Sequence, residues 1–450
     1  MTCPVPQNIN TDRIFFVNFS ELEGRLEPEF YRPSIASYEK KIRSHSSRKL
    51  KDFALTLAGG ATPPKTESDK YYSDSTNGVP FLRVQNLQTN GELLLDDCVY
   101  INKETHTGLL KRSQVSEGDL LIKITGVGRM AIASVAPAGF VGNTNQHMVV
   151  IKTGNVELSK YLAHYLNLDS IEKIASRHST GGTRPALDYP SLKNLPIIED
   201  LDFSGIDLAL KYKQQKEQEA KDLLASIDDY LLSELGIERP TLARTENGRF
   251  FYTSFKEITG GELAPISVQN RGKQSKSTQY KEIKLSTIAS ITKGQAITSK
   301  EIVDGEYPVI AGGQSSPYTH NQYNHKGDVI TVSASGAYSG YVWYHDYPIF
   351  ASDCSVIFSK DNNVFLTKYI YEILRLRQKE IYLLQKGAGQ PHVYASDLAQ
   401  ITIPVVSIEK QMEIIMYCNN LRITADELKQ EGKHLVESAK MAIEAMILGE

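Results

Sequence analysis

Side chains that can read the edges of DNA bases are concentrated in turn-rich segments of both halves of the chain. In the first half these side chains are Arg83, Gln85, Asn86, Asn145 and Gln146. In the second half they are Gln314, Ser333, Ser335, Tyr338, Gln390 and His392. Asn and Gln amides can form two hydrogen bonds with adenine, and an Arg guanidinium can form two with guanine. These residue types suit sequence-specific contact with a nucleic acid, although any one of the segments could equally be an ordinary polar loop.

Basic side chains near the same segments suit contacts with phosphates, which fix the position of a protein on DNA without reading its sequence. They are Lys123, Arg129, Arg184, Lys293 and Lys386. Glycine pairs at 59–60, 181–182 and 312–313 would let the backbone approach a ligand closely, and Thr183 directly follows the second pair.

No motif in the sequence indicates catalysis. The chain has no Gly-x-x-x-x-Gly-Lys-[Ser/Thr] phosphate loop, no His-Glu-x-x-His zinc motif and no Gly-x-Ser-x-Gly nucleophile turn. It also lacks the Asn/Asp-Pro-Pro-Tyr/Phe tetrapeptide with which amino-methyltransferases hold a flipped base. The histidines are scattered, and His320 with His325 is the only close pair. We therefore predict a recognition protein with no catalytic residue, metal site or cofactor of its own.

Composition indicates a soluble protein of more than one domain. The chain has 450 residues, of which 41% are apolar, enough for two or three domains. Its four cysteines form no Cys-x-x-Cys pair, which favours a reducing cytoplasm. No apolar run approaches the ~18 residues of a membrane span, and no secretion signal is present. The net charge of −3 is unusual for a DNA-binding protein, so partner subunits would have to supply positive charge.

The chain contains an internal repeat. Ordered pairs of like residues run through both halves, starting with Phe15 and Phe251 and ending with Pro196 and Pro404. Between them lie the pairs Leu50 and Leu285, Gly59 and Gly294, Gly118 and Gly327, and Gly126 and Gly336. The offset falls from 236 residues at the first pair to 206 at Pro185 and Pro391, as loop deletions in the second copy would produce. The alternative is a single large α/β domain with coincidental matches.

Each copy is predicted to have the same order of elements. Short strands and turns at 51–151 and 284–358 lead into a helix at 158–176 and 366–384, followed by a glycine-rich loop, a strand that ends at proline and a long helix. The predicted fold class is α/β, with two repeated mixed α/β recognition domains separated by two long antiparallel helices. The predicted boundaries are an N-terminal segment and first recognition domain at 1–200, a central helix at 201–240, a linker segment and second recognition domain at 241–405, and a C-terminal helix at 406–450.

Both long helices carry apolar residues at alternating steps of four and three, the spacing of helices that pair. In the second helix these residues are Leu421, Ala425, Leu428, Gly432, Leu435, Ala439, Ala442 and Met446. In the first they are Ala220, Leu224, Ile227, Leu231 and Leu235. We expect the helices to pack on each other and to scaffold partner subunits. The residues assigned to that role are Leu224, Ile227, Leu231, Leu428, Leu435 and Ala439. The alternative is that each helix caps its own domain.

Several segments resemble the target-recognition domains of type I restriction-modification specificity subunits. They are Gly60-x-Thr62-Pro63, Gly78-Val79-Pro80-Phe81-Leu82, Gly118-Asp119-Leu120-Leu121, Gly181-Gly182-Thr183-Arg184-Pro185 and Leu195-Pro196-Ile197. Residues 403–411 resemble the proline and Glu-Gln motif that opens the conserved helix of that family, although Lys410 separates Glu409 from Gln411. The first copy lacks the Gln in this region, so the second copy matches better.

The resemblance implies a DNA-reading subunit without catalytic activity. Each recognition domain would read half of a split site on double-stranded DNA. The helices would dock two methyltransferase subunits, which use S-adenosylmethionine to methylate adenine N6 after flipping the base. Restriction translocase-nuclease subunits, which need ATP and magnesium, would join the complex in phage defence. The resemblance does not indicate a role for the N-terminal segment 15–33, which is echoed at 251–265.

Three alternatives remain. The chain could be a specificity subunit of a type IIB-like system, a coiled-coil scaffold that binds proteins rather than DNA, or a carbohydrate hydrolase whose carboxylates are not recognisable by motif. For a bipartite reader, a helix rise of ~1.5 Å per residue over roughly 25 paired residues would place the half-sites about one DNA turn apart. The target sequence does not follow from the chain.

Overall fold

The computed structural model describes residues 10, 12–22, 25–46, 48–238, 275–387 and 389–449. The chain divides into two compact units, one formed by 1–216 with 430–450 and the other by 217–429. The segment 251–265, where the sequence suggests an echo of the N-terminal segment, lies outside the described residues. Both units combine sheets and helices, and the predicted α/β fold class is confirmed.

The first unit contains two sheets. Its strands are β1 Thr56–Gly59, β2 Tyr72–Ser73, β3 Val79–Leu82, β4 Val99–Ile101, β5 Gln114–Ser116, β6 Leu120–Lys123, β7 Ala133–Val135, β8 Val141–Thr144 and β9 Met148–Lys152. Its helices are α1 Pro33–His45, α2 Ser68–Tyr71, α3 Lys103–Thr107, α4 Val156–Leu166, α5 Asp169–Arg177 and α6 Tyr189–Lys193, followed by α7 Ser204–Glu234, which both units share. A four-stranded sheet has the order β1-β9-β6-β7, and a five-stranded sheet has the order β2-β4-β3-β8-β5.

Strand β6 is apolar on both faces because both faces are covered. Leu120 and Ile122 lie in a core shared with residues of α4 and α5, whereas Leu121 lies in a second core with Leu82 of the other sheet. Successive side chains of a strand point to opposite faces of its sheet. A continuous apolar run is therefore what a strand between a helix layer and a sheet layer requires.

Helix α1 is fixed to the end of α5 by a buried cluster of charged groups. The carboxylate of Glu39 in α1 lies 2.9 Å from Nε2 of His178 and 2.6 Å from the guanidinium of Arg43, and it also pairs with Arg177. Burial raises the pKa of Glu39, but the hydrogen bonds and charges of His178 and Arg43 outweigh burial and lower it to about 2. These contacts make α1 part of the first unit's fold.

The second unit repeats the main sheet of the first. Its strands are β10 Ile237–Glu238, β11 Lys276–Ser277, β12 Glu282–Lys284, β13 Ala289–Lys293, β14 Tyr307–Ile310, β15 Thr319–His320, β16 Val329–Ser333, β17 Val342–His345, β18 Phe350–Ala351, β19 Cys354–Ser359 and β20 Thr402–Pro404. Its helices are α8 Leu285–Ile288, α9 Thr367–Leu376, α10 Gln378–Tyr382 and α11 Ala395–Leu398, followed by the shared α12 Ile408–Leu448. The order β13-β19-β16-β17 matches β1-β9-β6-β7, and a smaller sheet has the order β15-β14-β18.

The second copy is shorter because it has fewer strands between corresponding elements. The first unit has β4 and β5 between β3 and β6, whereas the second has only β15 between β14 and β16. Across this segment the offset between paired residues falls from 228 at Val79 and Tyr307 to 209 at Gly118 and Gly327. The loop deletion inferred from the falling offset corresponds to this missing piece of sheet.

Helices α7 and α12 pack against each other within the first unit. A Cβ added to Gly432 of α12 would lie 3.0 Å from Cα of Lys213 in α7, so a side chain there would press on the helix backbone. Lys216 Nζ pairs with Glu431 at 3.0 Å. Residue number rises along α7 while it falls along α12, so the packing is antiparallel, as predicted.

The second unit contains a separate stretch of the same helix pair. Tyr230 of α7 stacks on Tyr417 of α12 with 3.9 Å between ring centroids. Lys410 Nζ pairs with the Glu234 carboxylate at 2.5 Å. This stretch is antiparallel as well.

The predicted heptad register of α12 is wrong near its C-terminal end. Ala425 and Ile443 are buried and 18 residues apart, which is five turns of a straight helix, whereas the heptad repeat leads from Ala425 to Met446. Predicted contact residues that are instead exposed are Leu224, Leu435, Ala442 and Met446. The heptad fails because Ile443 packs in the core of the first unit with residues of its sheet and helices, rather than on α7 alone.

Candidate nucleic-acid interface

Each unit holds a glycine-containing loop against the end of its central strand. In the first unit this loop, pinned loop 1, runs from Thr180 to Ala186, and these two residues exchange backbone hydrogen bonds of 2.9 and 2.8 Å. The Gly126 N–H, just beyond β6, donates to the Pro185 carbonyl at 3.0 Å. Gly181 has a φ of +99°, which favours glycine.

The second unit builds its loop with the same bonds. Pinned loop 2 runs from Lys386 to His392, which exchange backbone hydrogen bonds of 2.9 and 2.8 Å. The Gly336 N–H, just beyond β16, donates to the Pro391 carbonyl at 3.0 Å. Gly387 has a φ of +101°. The sequence pairs Gly126 with Gly336 and Pro185 with Pro391 therefore form equivalent contacts.

Pinned loop 1 brings several predicted residues together. Thr183 and Arg184 are exposed on it. The turn before β9 lies beside it, because the Ile124 N–H donates to the His147 carbonyl at 2.9 Å and a β-bridge joins the next residue, Thr125, to Ala186 of the loop. Burial and the nearby charge of Arg184 lower the pKa of His147. Gln146, exposed on that turn, accepts a hydrogen bond from the hydroxyl of Thr62.

Around pinned loop 2 the structure gathers a second set of predicted residues. The hydroxyl of Ser333 lies 3.4 Å from the carbonyls of Ala311 and Gly313, and Ser335 donates to the carboxylate of Asp353. A β-bridge joins Ser335 to His392 in the loop. Exposed side chains on these segments are Gln314, Tyr338 and Gln390.

Four predicted DNA contacts must be corrected, because their side chains are buried and serve the protein's own fold. Asn86 is 1% exposed, and its amide donates to the Leu94 carbonyl at 2.8 Å. Lys123 is 4% exposed, and its ammonium donates to the Val127 carbonyl at 2.8 Å, while burial lowers its pKa. Asn145 and Ser333 are buried too. A residue type alone does not reveal whether its polar atoms are used internally.

Other predicted contacts remain predictions. Arg129 pairs with Asp169 and donates to the Asn167 carbonyl at 2.6 Å, and Lys386 pairs with Asp397 at 2.8 Å. Arg83 is half-buried and lies 3.4 Å from the Asp97 carbonyl. Gln85 and Lys293 are exposed.

The residues assigned to partner binding differ in how far they are buried. Ile227 and Leu231 are buried in the second unit's core, and so they stabilise the helix pair rather than face a partner. Leu428 is half-buried in the second unit, and Ala439 packs against the first unit's core. Leu224 and Leu435 are exposed.

Sequence reasoning missed two features. Asp353 lies in no motif, and only the fold brings it to Ser335. The exposed apolar residues Met412, Met416 and Ile423 of α12 fall outside the heptad pattern, although their spacing of four and seven was visible in the sequence.

Among the described residues, no group of three or more His, Cys, Asp or Glu side chains could hold a metal ion. None of the helices in that part of the chain has the length and apolar character needed to cross a membrane.

Two copies of one α/β topology, each with a pinned loop that exposes amide or guanidinium side chains, define a duplicated recognition protein. The family model described as type I restriction modification DNA specificity domain matches residues 45–198 and 277–437, so the chain belongs to that family and is a type I specificity subunit. This match supports the type I interpretation over the type IIB-like, scaffold and hydrolase alternatives.

The chain is also similar to individual proteins and solved structures. A Mycoplasma pneumoniae protein provisionally named type I specificity subunit S.MpnORF638P is 24% identical over 305 residues, which is 66% of this chain and 74% of that protein. The crystal structure of a type I restriction-modification S subunit from M. genitalium aligns over 88% of this chain and 94% of that chain, at 16% identity and a TM-score of 0.43. A structure that describes complex assembly and conformational transition of the type I R-M system aligns over 89% of this chain and 96% of that chain, at 14% identity and a TM-score of 0.46.

Proposed function

We propose that each unit reads one half of a bipartite DNA site and that the chain itself transfers no methyl group. The observation that carries this proposal is the repeated pinned loop, which both units hold to the end of a central strand through equivalent backbone hydrogen bonds. Two copies of one reading surface in one chain suit a target made of two separate half-sites. An unread spacer would lie between them.

The exposed surface of each pinned loop suits a DNA groove. A Cβ added to Gly182 or Gly389 would meet no atom within 4 Å, so the backbone is accessible at both loop tips. Arg184 and Gln390 are exposed beside these glycines and have the donors and acceptors that base edges require. A reading surface with few charges also fits the net charge of −3, because partner subunits would neutralise most of the phosphates.

The long helices would bind the partner subunits. In the second unit, Met412, Met416 and Ile423 of α12 are 54%, 64% and 56% exposed. Their spacing of four and seven residues places them on one face of the helix. A row of exposed apolar side chains indicates a protein-binding surface, and flexible methionines adapt well to such contacts. The partners that fit are two methyltransferase subunits that use S-adenosylmethionine and translocase-nuclease subunits that use ATP and magnesium.

Methylation mapping tests the half-site proposal. The full chain would be expressed with the methyltransferase subunit encoded beside it in a host without other adenine methylation, and methylated adenines would be mapped by single-molecule sequencing. We expect a motif in two parts with an unread spacer of fixed length, whose half-sites are centred about one DNA turn apart. A continuous motif would contradict the proposal.

Two further measurements test whether methyl transfer requires the partner subunit and whether α12 binds that subunit. The purified chain incubated with S-adenosylmethionine and DNA should transfer no methyl group, whereas the complex should; transfer by the chain alone would overturn the proposal. Met416→Asp should weaken co-purification with the methyltransferase, because it puts a charge on the apolar row. Thr424→Asp adds a charge at an exposed position about a quarter turn around the same helix from that row and is the matched control, which should co-purify normally.

A further inference from the structure

We propose that Arg184 and Gln390 are equivalent specificity-determining residues, with Arg184 reading a G·C pair in the first half-site and Gln390 an A·T pair at the corresponding position of the second. The inference rests on the proposed function, in which each unit reads one half-site. It goes further by assigning one position in each half-site to one side chain.

The equivalence follows from the backbone. Each residue directly precedes the proline whose carbonyl accepts a glycine N–H at 3.0 Å, Gly126 for Pro185 and Gly336 for Pro391. One residue further along the chain from each proline, the loop closes through a reciprocal pair of backbone hydrogen bonds. Because proline restricts its own φ and the backbone of the residue before it, each side chain leaves a fixed point of the loop. The two side chains therefore occupy equivalent positions of their pinned loops.

Both side chains are available to a ligand. Arg184 and Gln390 are exposed, and neither side chain has a hydrogen bond to another residue of the described chain. Arg129, by contrast, pairs with Asp169 and donates to the Asn167 carbonyl. An arginine that the fold does not use is the stronger candidate for an intermolecular role.

The difference in charge between the two positions favours base edges over phosphates. A position that contacts phosphate would be expected to keep a positive charge in both copies, because the attraction is electrostatic. Gln390 is uncharged, but it shares with arginine the ability to form two parallel hydrogen bonds to a purine in the major groove. Arginine matches O6 and N7 of guanine, and glutamine matches N6 and N7 of adenine.

The side chains next to the two pinned loops also differ in charge, and the second unit again has the less positive residue. Next to pinned loop 1, the Ile124 N–H donates to the His147 carbonyl at 2.9 Å, and next to pinned loop 2, the Ala334 N–H donates to the Asp353 carbonyl at 3.2 Å. A histidine therefore accompanies Arg184 where a carboxylate accompanies Gln390. A carboxylate repels phosphates, so this part of the second unit is poorly suited to a contact with the DNA backbone.

Reciprocal substitutions test the assignment. The assembled complex carrying Arg184→Gln or Gln390→Arg would methylate a DNA pool randomised in both half-sites, and the products would be sequenced. We expect R184Q to change one position of the first half-site from G·C to A·T and to leave the second half-site unchanged. Q390R should make the opposite change in the second half-site only. Discrimination at the affected position should be about 5- to 140-fold, the range of a bidentate contact.

Two controls separate base reading from charge and folding. Arg184→Lys keeps the charge but loses the planar fork, so discrimination at that position should weaken while the salt dependence of binding is unchanged. Arg112→Gln makes the same chemical change at another exposed arginine of the first unit and should leave the motif unchanged. Co-purification with the methyltransferase and an unchanged unfolding temperature would show that each variant assembles and folds.

The opposing results differ for the two levels of the proposal. If R184Q weakens binding equally for all sequences and lowers the salt slope by about one, Arg184 contacts a phosphate and this assignment is wrong, although the half-site proposal stands. If the unsubstituted complex methylates a continuous motif, or if each substitution alters both halves of the motif, the half-site proposal itself fails.

Discussion

Replacement of Gln411 by alanine should loosen the connection between α9 and α12 in the second unit. Gln411 lies in the first turn of α12 and is fully buried. Its Oε1 accepts the N–H of Leu366, the residue before α9, at 2.8 Å. Its Nε2 donates to the carbonyls of Val364 at 2.8 Å and Val406 at 3.2 Å. One side chain therefore satisfies backbone groups on both sides of the connection.

The expected loss follows from these partners. Alanine removes all three hydrogen bonds and leaves up to three backbone groups without a partner. An unsatisfied buried polar group costs ~1–3 kcal/mol, and water that enters the space would recover part of this. We expect the free energy of opening the segment around Leu366 to fall by about 3 kcal/mol. Since 1.4 kcal/mol corresponds to a factor of ten, local exchange should become on the order of 100-fold faster.

Hydrogen exchange of the full chain, measured by mass spectrometry, tests this prediction at peptides covering 362–376. The matched control is Asp207→Ala in α7, because the Asp207 N–H binds the Phe203 carbonyl as the Gln411 N–H binds that of Ser407. The Asp207 side chain is exposed and makes a surface contact with His164, so its removal should cost under ~1 kcal/mol. Unchanged protection in Q411A, or an equal loss of protection around His164 in D207A, would refute the reasoning.

Three other predictions concern stability. The free energy of unfolding of the first unit should fall by about 3 kcal/mol between about pH 5 and pH 2, because the fold lowers the pKa of Glu39 from 4.5 to about 2 and the stabilisation by its carboxylate is lost on protonation. Glu39→Gln should flatten the pH dependence of thermal unfolding in this range, and an unchanged slope would count against the prediction. Arg422→Met should destabilise the second unit by ~3–5 kcal/mol in urea unfolding. The buried carboxylate of Glu372 would then lack the guanidinium that donates to its two oxygens at 2.7 and 2.6 Å, and adding Glu372→Gln should restore much of the lost stability. Leu435→Asp should change stability by less than ~0.5 kcal/mol, whereas Ile443→Asp should destabilise the first unit by several kcal/mol; the reverse order would support the heptad register.

The repeated order of elements could be predicted because it rests on local patterns. The apolar run at 120–122 and its mostly apolar counterpart at 329–332 indicate strands covered on both faces, and both lie in fully buried strands of their sheets. Gly126 and Gly336 follow these strands at the same distance and have positive φ values of 123° and 86°. A positive φ favours glycine, so both copies have glycine at this position, and the repeat could be recognised in the sequence although few residues are identical.

The contacts of individual polar residues could not be predicted because they depend on what the fold brings beside them. Asn86 and Arg184 carry equally suitable groups for DNA, yet Asn86 is buried and Arg184 is exposed. The register of α12 failed for a related reason. The alternation of steps of four and three describes a helix that packs on one partner, but the C-terminal turns of α12 also pack in a core that periodicity does not reveal.

The absence of the family's glutamine from the first copy does not leave its position without a function. Asp207 is the fourth residue of α7, as Gln411 is the fourth residue of α12. The carboxylate of Asp207 lies 2.9 Å from Nε2 of His164 in α4. Burial lowers the pKa of His164, and the charge of Asp207 opposes this shift. The first unit therefore connects its long helix through a largely buried histidine that can be protonated, and the second through a buried amide that cannot. Because the pKa of His164 is lowered in the fold, its protonation in mild acid should weaken the connection in the first unit, whereas the Gln411 amide does not titrate. The two connections can therefore weaken independently.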